Sequence, residues 1–311
     1  MIKKPGELTH QKHYYNILIA GFPGIGKSQL AMSAPKPLLL NLDKGIERVP
    51  AKFRSDFSDV DTYAELLEDL VQENLTDYET ICIDTGGRLL ELMKSWAIQK
   101  NPKNGQTDGN LSLKGYGVVG TEFMRFVNSI KYDLHKHCVV IFHAKEEKDG
   151  DNTKLRIDVE GQSKNNVWQP MDLGGFMEMQ GNDRTISFMN CERFFGKGSF
   201  GVHGTVKIPD LSNGGNNNFI TLLIKNMDEY INKEAEIAEA EHKNYEEVIN
   251  KIKPIIAEMN EKNVEQVQNE ITSTKHYLTS ETELKSMFIK KLKELGLAWD
   301  KELNKYVKKD K

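Results

Sequence analysis

Four short apolar runs punctuate the first half of the chain: YNILIA at 15–20, PLLLNL at 37–42, ETICID at 79–84 and HCVVIFHA at 137–144. They are nearly continuous rather than alternating, the pattern of strands covered on both faces. Between them, apolar positions recur at helical spacing and predict helices over 27–33, 62–73, 87–99 and 121–136. In the last of these Phe123, Phe126, Val127 and Ile130 form one stripe. Such βαβ alternation predicts an α/β domain on a central, mostly parallel sheet.

After His143 the pattern changes. KEEKDGDNTKLRIDVEG holds DGDN between polar runs, and GGFMEMQGNDRTISFMN holds Gly181, Asn182 and Asp183 between two strand-like runs. Both read as antiparallel hairpins at the edge of the parallel sheet. A loop, SNGGNNN at 212–218, then precedes the apolar stretch FITLLIKNMDEYI. From about 232 onward Glu, Lys, Ala and Ile dominate and apolar residues fall at helical intervals. Val248, Ile252, Ile255, Ile256 and Met259 make a stripe that Pro254 is expected to interrupt. A last helix should stop at Gly296, followed by a short hairpin or helical tail. The expected division is a 1–231 nucleotide-binding domain and a mainly helical appendage at 232–311.

Composition narrows the classes. With 38% hydrophobic and 28% charged residues and a net charge of −4, the chain is not a basic nucleic-acid binder as a whole, although a local patch would suffice. Cys82, Cys138 and Cys191 are too far apart to suggest zinc or a disulfide framework. MIKKPGELTHQKH lacks the apolar core of a signal peptide, and no run approaches the ~18 apolar residues of a membrane span. A reduced, cytoplasmic protein without a membrane partner is expected.

The sharpest chemical signal is GFPGIGKS, an unbroken match to G-x-x-x-x-G-K-[ST] directly after a buried strand and opening a helix. Gly21, Gly24 and Gly26 would let the backbone turn its N–H groups inward as an anion nest, with Phe22, Pro23 and Ile25 completing the nucleotide-binding loop. Lys27 would reach the β- and γ-phosphates of ATP, Ser28 would ligate Mg2+, and Gln29 would continue the helix beside the nucleotide. Asp84, ending TICID, sits where a Walker B aspartate holds the metal, unless it merely caps the next helix. Thr85 follows as a supporting hydroxyl. Asp43 and Glu47, after the second strand, are alternatives for orienting the attacking water, and Asp43 adjoins the strand end. His143 closes the fourth strand, where it can touch the γ-phosphate or the water. Arg184, Arg193 and Lys197 are candidates for a cation supplied from a neighbouring subunit, Arg193 and Lys197 ahead.

GFPGIGKS, LLLNLDKGIE, TICIDTGG, LSLKGYGVVG, CVVIFHAKEE, VWQPMDLGGFMEMQ and GKGSFG in this order resemble phage-encoded RecA-like ATPases. More narrowly, the chain is similar to the phage nucleotide-binding P-loop proteins that include Sak-type single-strand annealing proteins. The resemblance spans about residues 10–230. It implies a RecA-like core and self-association into a ring or filament with ATP between subunits. It also implies single-stranded DNA contacts from 101–117, with Lys103, Lys114 and Tyr116, and from 145–161, with Lys145, Lys148, Lys154 and Arg156. The second segment also carries Glu146, Glu147, Asp149 and Asp151. His143 stands where such proteins usually have glutamine, and Asp43 or Glu47 would replace their catalytic glutamate. Two functions compete: an ATP-dependent annealing protein of a phage recombination module, and a helicase-loader-like switch working through replication or single-strand-binding proteins held by the carboxyl-terminal region. A nucleotide kinase is disfavoured for want of an arginine-rich lid.

Overall fold

The computed structural model describes residues 12–150, 152–159, 166–212, 214–303 and 305–308. Residues 1–11, Asp151 in the first turn signal, Asn213 in the asparagine-rich loop and Gly161 at the end of the second DNA segment lie outside them. The chain folds as two compact units, Lys12–Tyr230 and Ile231–Lys311.

The first unit runs β1 (Asn16–Gly21), α1 (Lys27–Ala31), β2 (Pro37–Asn41), β3 (Asp56–Ser58), α2 (Tyr63–Asp69), β4 (Thr80–Asp84), α3 (Gly86–Lys100), α4 (Leu113–Tyr132), β5 (His137–Asp149), β6 (Asn152–Ile157), β7 (Leu173–Gln180), β8 (Asp183–Ser187) and β9 (Thr205–Lys207). The sheet is ordered β3-β2-β4-β5-β1-β7-β8-β9, with β6 paired to the outer half of β5. From β3 to β7 the pairings are parallel; β5–β6, β7–β8 and β8–β9 are antiparallel. This is the mixed α/β architecture of a P-loop NTPase core, with its antiparallel hairpins and helical carboxyl-terminal part.

Both faces of the central strands are covered, which is why their sequences show no alternation. Leu18, Ala20, Ile81, Ile83, Val140 and Phe142 pack with α2, α3 and α4. On the opposite face the Cys82 thiol reaches the Ala31 carbonyl of α1.

Several boundaries differ from expectation for physical reasons. α4 begins at Leu113 rather than 121, so the segment 101–117 is only partly a loop. Its glycines permit close approach: a β-carbon on Gly115 would come 2.1 Å from the Asn104 carbonyl oxygen. The segment 145–157 is the antiparallel hairpin its sequence predicts, with Glu147 directly opposite Lys154. α2 ends at Asp69, and a separate 3-10 turn covers Gln72–Leu75. The β7–β8 turn needs only Gly181 and Asn182, because Gln180 pairs with Asp183. FITLLIKNMDEYI opens α5, Phe219–Ala257, which continues through Pro254 instead of breaking there.

The second unit packs the end of α5 with α6 (Val264–Ser273), α7 (Ser280–Leu295) and an antiparallel hairpin, β10 (Leu297–Asp300) and β11 (Lys305–Lys308). Val248, Ile252 and Ile256 meet Val267, Ile271, Leu284, Phe288 and Leu297 in its core. Gly296, at φ +66°, ends α7 in the left-handed conformation.

Candidate nucleotide site

β1 delivers Gly21 and α1 starts at Lys27, so residues 22–26 form the turn between them. Gly24 and Gly26 hold φ of +80° and +97°, conformations that glycine adopts without steric cost. Lys27 is only 5% exposed, and its Nζ donates to the Phe22 carbonyl at 2.8 Å, bracing the loop. Burial lowers its pKa to about 8, against the opposing pull of Asp84 and Asp43.

β5 lies between β1 and β4, placing Gly21 beside His143 and Asp84 beside Ile141. The Ser28 hydroxyl donates to Asp84 Oδ2 at 2.5 Å. Asp84 is 7% exposed; burial raises its pKa, and the Ser28 hydrogen bond works the other way. The cap of α3 is Thr85, whose Oγ1 accepts from the Arg88 N–H at 3.3 Å, so Asp84 is not the cap. A hydroxyl and a buried carboxylate are hard oxygen donors and fit magnesium. Among the described residues no group of three or more His, Cys, Asp or Glu side chains forms a cage. A cation here would therefore take its other ligands from phosphate and water, as magnesium commonly does.

The structure separates the two candidates for the water-activating base. Asp43 N–H donates to the Asp84 carbonyl at 2.9 Å, and the Asp43 carboxylate acts electrostatically on Lys27, Asp84 and His143. Arg48 Nη1 holds Asp43 Oδ2 at 3.3 Å. Glu47 is exposed on a short 3-10 turn, Ile46–Arg48, and bears on none of those groups. His143 joins the cluster from the middle of the sheet. Among the described residues its buried Nδ1 has no hydrogen-bond partner, and burial, then Lys27, lowers its pKa. Asp43, Thr85, Arg88, Tyr116, His143 and Asp158 line a cavity of about 290 Å³ beside this cluster.

The three late cations part ways. Arg184 is brought to the phosphate loop of its own chain: a β-carbon on Gly26 would lie 2.6 Å from Arg184 Nη1. Its place beside its own loop adds a position in cis to the trans-acting candidacy expected from sequence. Arg193 Nη1 pairs with Glu178 at 3.1 Å near the β6 hairpin. Lys197 pairs with Gly174 in the amino-terminal half of β7, and its Nζ donates to the Met171 carbonyl. It therefore points away from its own phosphate loop, since Gly21 is in register with Met177. Asp158, whose N–H donates to the His143 carbonyl at 2.7 Å, and Arg88 were not singled out by sequence. Only their spacing after a strand tip could have signalled them.

Of the DNA-facing candidates, Lys103 and Lys114 are exposed, whereas Tyr116 sits in the first turn of α4, packed against the core. Lys148 is exposed near the hairpin tip, and Lys145 pairs with Asp158 at 2.8 Å. No described helix is long and apolar enough to cross a membrane.

A family model described as an AAA domain matches residues 13–200, a span containing the phosphate loop, Asp43, Asp84 and His143. No curated protein matches the chain. With more than half of its 311 residues matched, and with this loop, lysine and buried carboxylate in place, the chain belongs to the AAA domain family of P-loop ATPase-like proteins.

Proposed function

We propose that the protein hydrolyses ATP and uses the cycle to bind single-stranded DNA and promote annealing, as a recombination or replication protein of RecA-like type and phage origin. The observation that carries the reading is one strand: β5 presents His143 to Lys27, Asp84 and Asp43, then continues without a break into a charged hairpin with β6. A γ-phosphate that engages the unpartnered Nδ1 of His143 acts on the base of that hairpin directly.

In this reading Lys27 and the loop N–H groups hold the phosphates, while Ser28 and Asp84 hold a magnesium ion. When bound, that ion neutralises charge on the phosphate oxygens. Asp43 orients the water and takes its proton; its position beside Asp84 supports this role over Glu47. Lys148, Lys154 and Arg156 on the hairpin, with Lys103 and Lys114 beside the exposed Leu113, would track the DNA backbone. Self-association would place ATP between subunits, where Arg193 or Lys197 of a neighbour can serve as the trans-acting cation.

The test is ATP hydrolysis by the purified protein with and without single-stranded DNA, beside Lys27→Ala. DNA stimulation that vanishes in the variant supports the proposal. Hydrolysis indifferent to DNA, with no DNA bound in the presence of a non-hydrolysable analogue, rejects it in favour of a loader-like switch acting on protein partners.

A further inference from the structure

The second unit has an order of elements with its own chemical meaning. The end of α5, α6 and α7 form a three-helix core, and α7 leads through Gly296 straight into the β10–β11 hairpin. The turn between α6 and α7 is held rigidly. His276 Nε2–H donates to the Ile271 carbonyl at 2.7 Å, and His276 Nδ1 accepts from the Ser280 hydroxyl at 3.1 Å. The same hydroxyl oxygen accepts from the Tyr277 N–H at 3.1 Å, and Ser280 is fully buried. The hairpin is seated on α7 by Tyr306, which meets Phe288 edge-on at 6.0 Å and Trp299 at 5.0 Å. Helix, turn, helix and hairpin is an arrangement that offers one helix for a groove and a ribbon for the flanking backbone.

The outward surface of α7 suits that use. Leu284 and Phe288 face the core. At 100° per residue, the opposite arc carries Thr282, Lys285, Ser286, Ile289, Lys290 and Lys293, all exposed. Glu283 borders the arc beside Lys290 and is engaged there by the Tyr245 and Thr279 hydroxyls, which donate to it at 2.7 and 2.8 Å. Glu281 and Glu294 also flank the arc, and Glu281 holds Lys285 at 2.5 Å. Between Lys285 and Lys308 the chain has seven lysines against three carboxylates, in a protein whose net charge is −4. Among the described residues no carboxylate pairs with Lys290, Lys293, Lys301 or Lys305. A face of lysines interspersed with hydroxyls and one aliphatic residue is complementary to a groove of phosphates, base edges and thymine methyls.

We infer that the second unit is a duplex-DNA-binding module, with α7 entering the major groove and the β10–β11 hairpin resting on the adjacent backbone. This site is separate from the nucleotide-linked single-strand surface proposed above and does not depend on ATP. Lys290 and Lys293 face phosphates along the groove, and Lys301 and Lys305 do so from the hairpin.

The test is salt-dependent binding of a short labelled duplex to the full-length protein without nucleotide. The wild type, Lys290→Glu/Lys293→Glu, Lys301→Glu/Lys305→Glu and a Lys290→Arg/Lys293→Arg control are compared, with helical content and ATP hydrolysis checking the fold. Each charge-reversed pair should weaken duplex binding at least tenfold and lower the slope of log affinity against log salt by about 2. The arginine control should bind like the wild type, and Lys27→Ala should retain duplex binding whatever becomes of its response to single strands. A wild-type protein that leaves the duplex unbound at low salt overturns the inference. Charge-reversed variants that bind as the wild type does, or that lose only a protein partner, overturn it as well.

Discussion

Arg184 and Gly26 lie against each other although 158 positions separate them in the sequence: Arg184 Nη1 occupies the space a β-carbon on Gly26 would need, at 2.6 Å. The strand β8 supplies the arginine, its carbonyl accepts from the Ile208 N–H at 2.8 Å, and the backbone there is thereby fixed. Among the described residues no carboxylate pairs with this guanidinium, so it stands beside the phosphate loop with its donors available for an anion. Arg184→Ala is expected to weaken nucleotide binding about tenfold, about 1.4 kcal/mol, with Arg184→Lys in between. Titration with a fluorescent ATP analogue checks it, and unchanged affinity in Arg184→Ala would refute the role. Gly26→Ala should also weaken binding, because its β-carbon would displace the Arg184 guanidinium and its left-handed φ costs an alanine roughly 1–2 kcal/mol.

Nucleotide affinity should depend on pH through Lys27. With its pKa at about 8 in the free protein, the ammonium is present at pH 7 and is lost as pH rises past 8. A bound triphosphate favours the charged form and raises that pKa. Affinity is therefore expected to fall between pH 8 and 10, with proton uptake on binding. Calorimetry in buffers of different ionisation enthalpy reads the uptake directly; affinity flat across that range would contradict it.

Asp43→Asn should reduce kcat by about 10²–10⁴ while nucleotide still binds, the usual contribution of a positioned base. Glu47→Gln, exposed and remote from Lys27 and Asp84, should change kcat by less than about twofold. Single-turnover hydrolysis of both variants decides between them, and the reverse ranking would move the base to Glu47.

A second pH effect belongs to stability. His137 stacks on Tyr15 at 5.7 Å, its Nδ1 accepts from the Tyr15 N–H, and burial lowers its pKa to about 4. The folded state thus holds it neutral, while the unfolded chain protonates it near 6.5. Its contribution is complete above pH 6.5 and is lost as pH falls toward 4, on the order of 3 kcal/mol in all. Urea melts from pH 7 to 4.5 should show this slope, and His137→Gln should flatten it.

What the sequence disclosed follows the strength of local pattern. Buried parallel strands announce themselves as apolar runs, and β1, β2, β4 and β5 begin within a residue of expectation. β3 was invisible because Asp56–Ser58 is three residues long and mostly exposed, with only Phe57 apolar. The start of α4 was obscured by Gly115, Gly117 and Gly120, which read as a breaker. Two of them are contact positions: a β-carbon on Gly120 would come 2.1 Å from Asn166 Nδ2, so glycine there answers to packing rather than to a turn. At the site, the phosphate loop and Asp84 are local in sequence and were legible. Placing Asp43 rather than Glu47 beside Asp84, finding Asp158 against His143, and setting Arg184 on its own loop and Lys197 away from it all required the crossing of distant strands.

The continuity of β5 also has a mechanical side. From His143 the strand extends six residues to Asp149, about 20 Å at the usual rise, and its pairing with β6 makes that length a two-stranded arm. A tilt of about 5° at the base would carry the tip nearly 2 Å, by simple proportion with that length. The arm has no intervening loop in which such a tilt could be absorbed, so a displacement of a fraction of an ångström beside His143 is magnified at Lys148. In the proposed cycle, work done at the phosphate end would be delivered as travel at the far end, and a load placed on the hairpin tip would be felt in reverse at Lys27, Asp84 and His143.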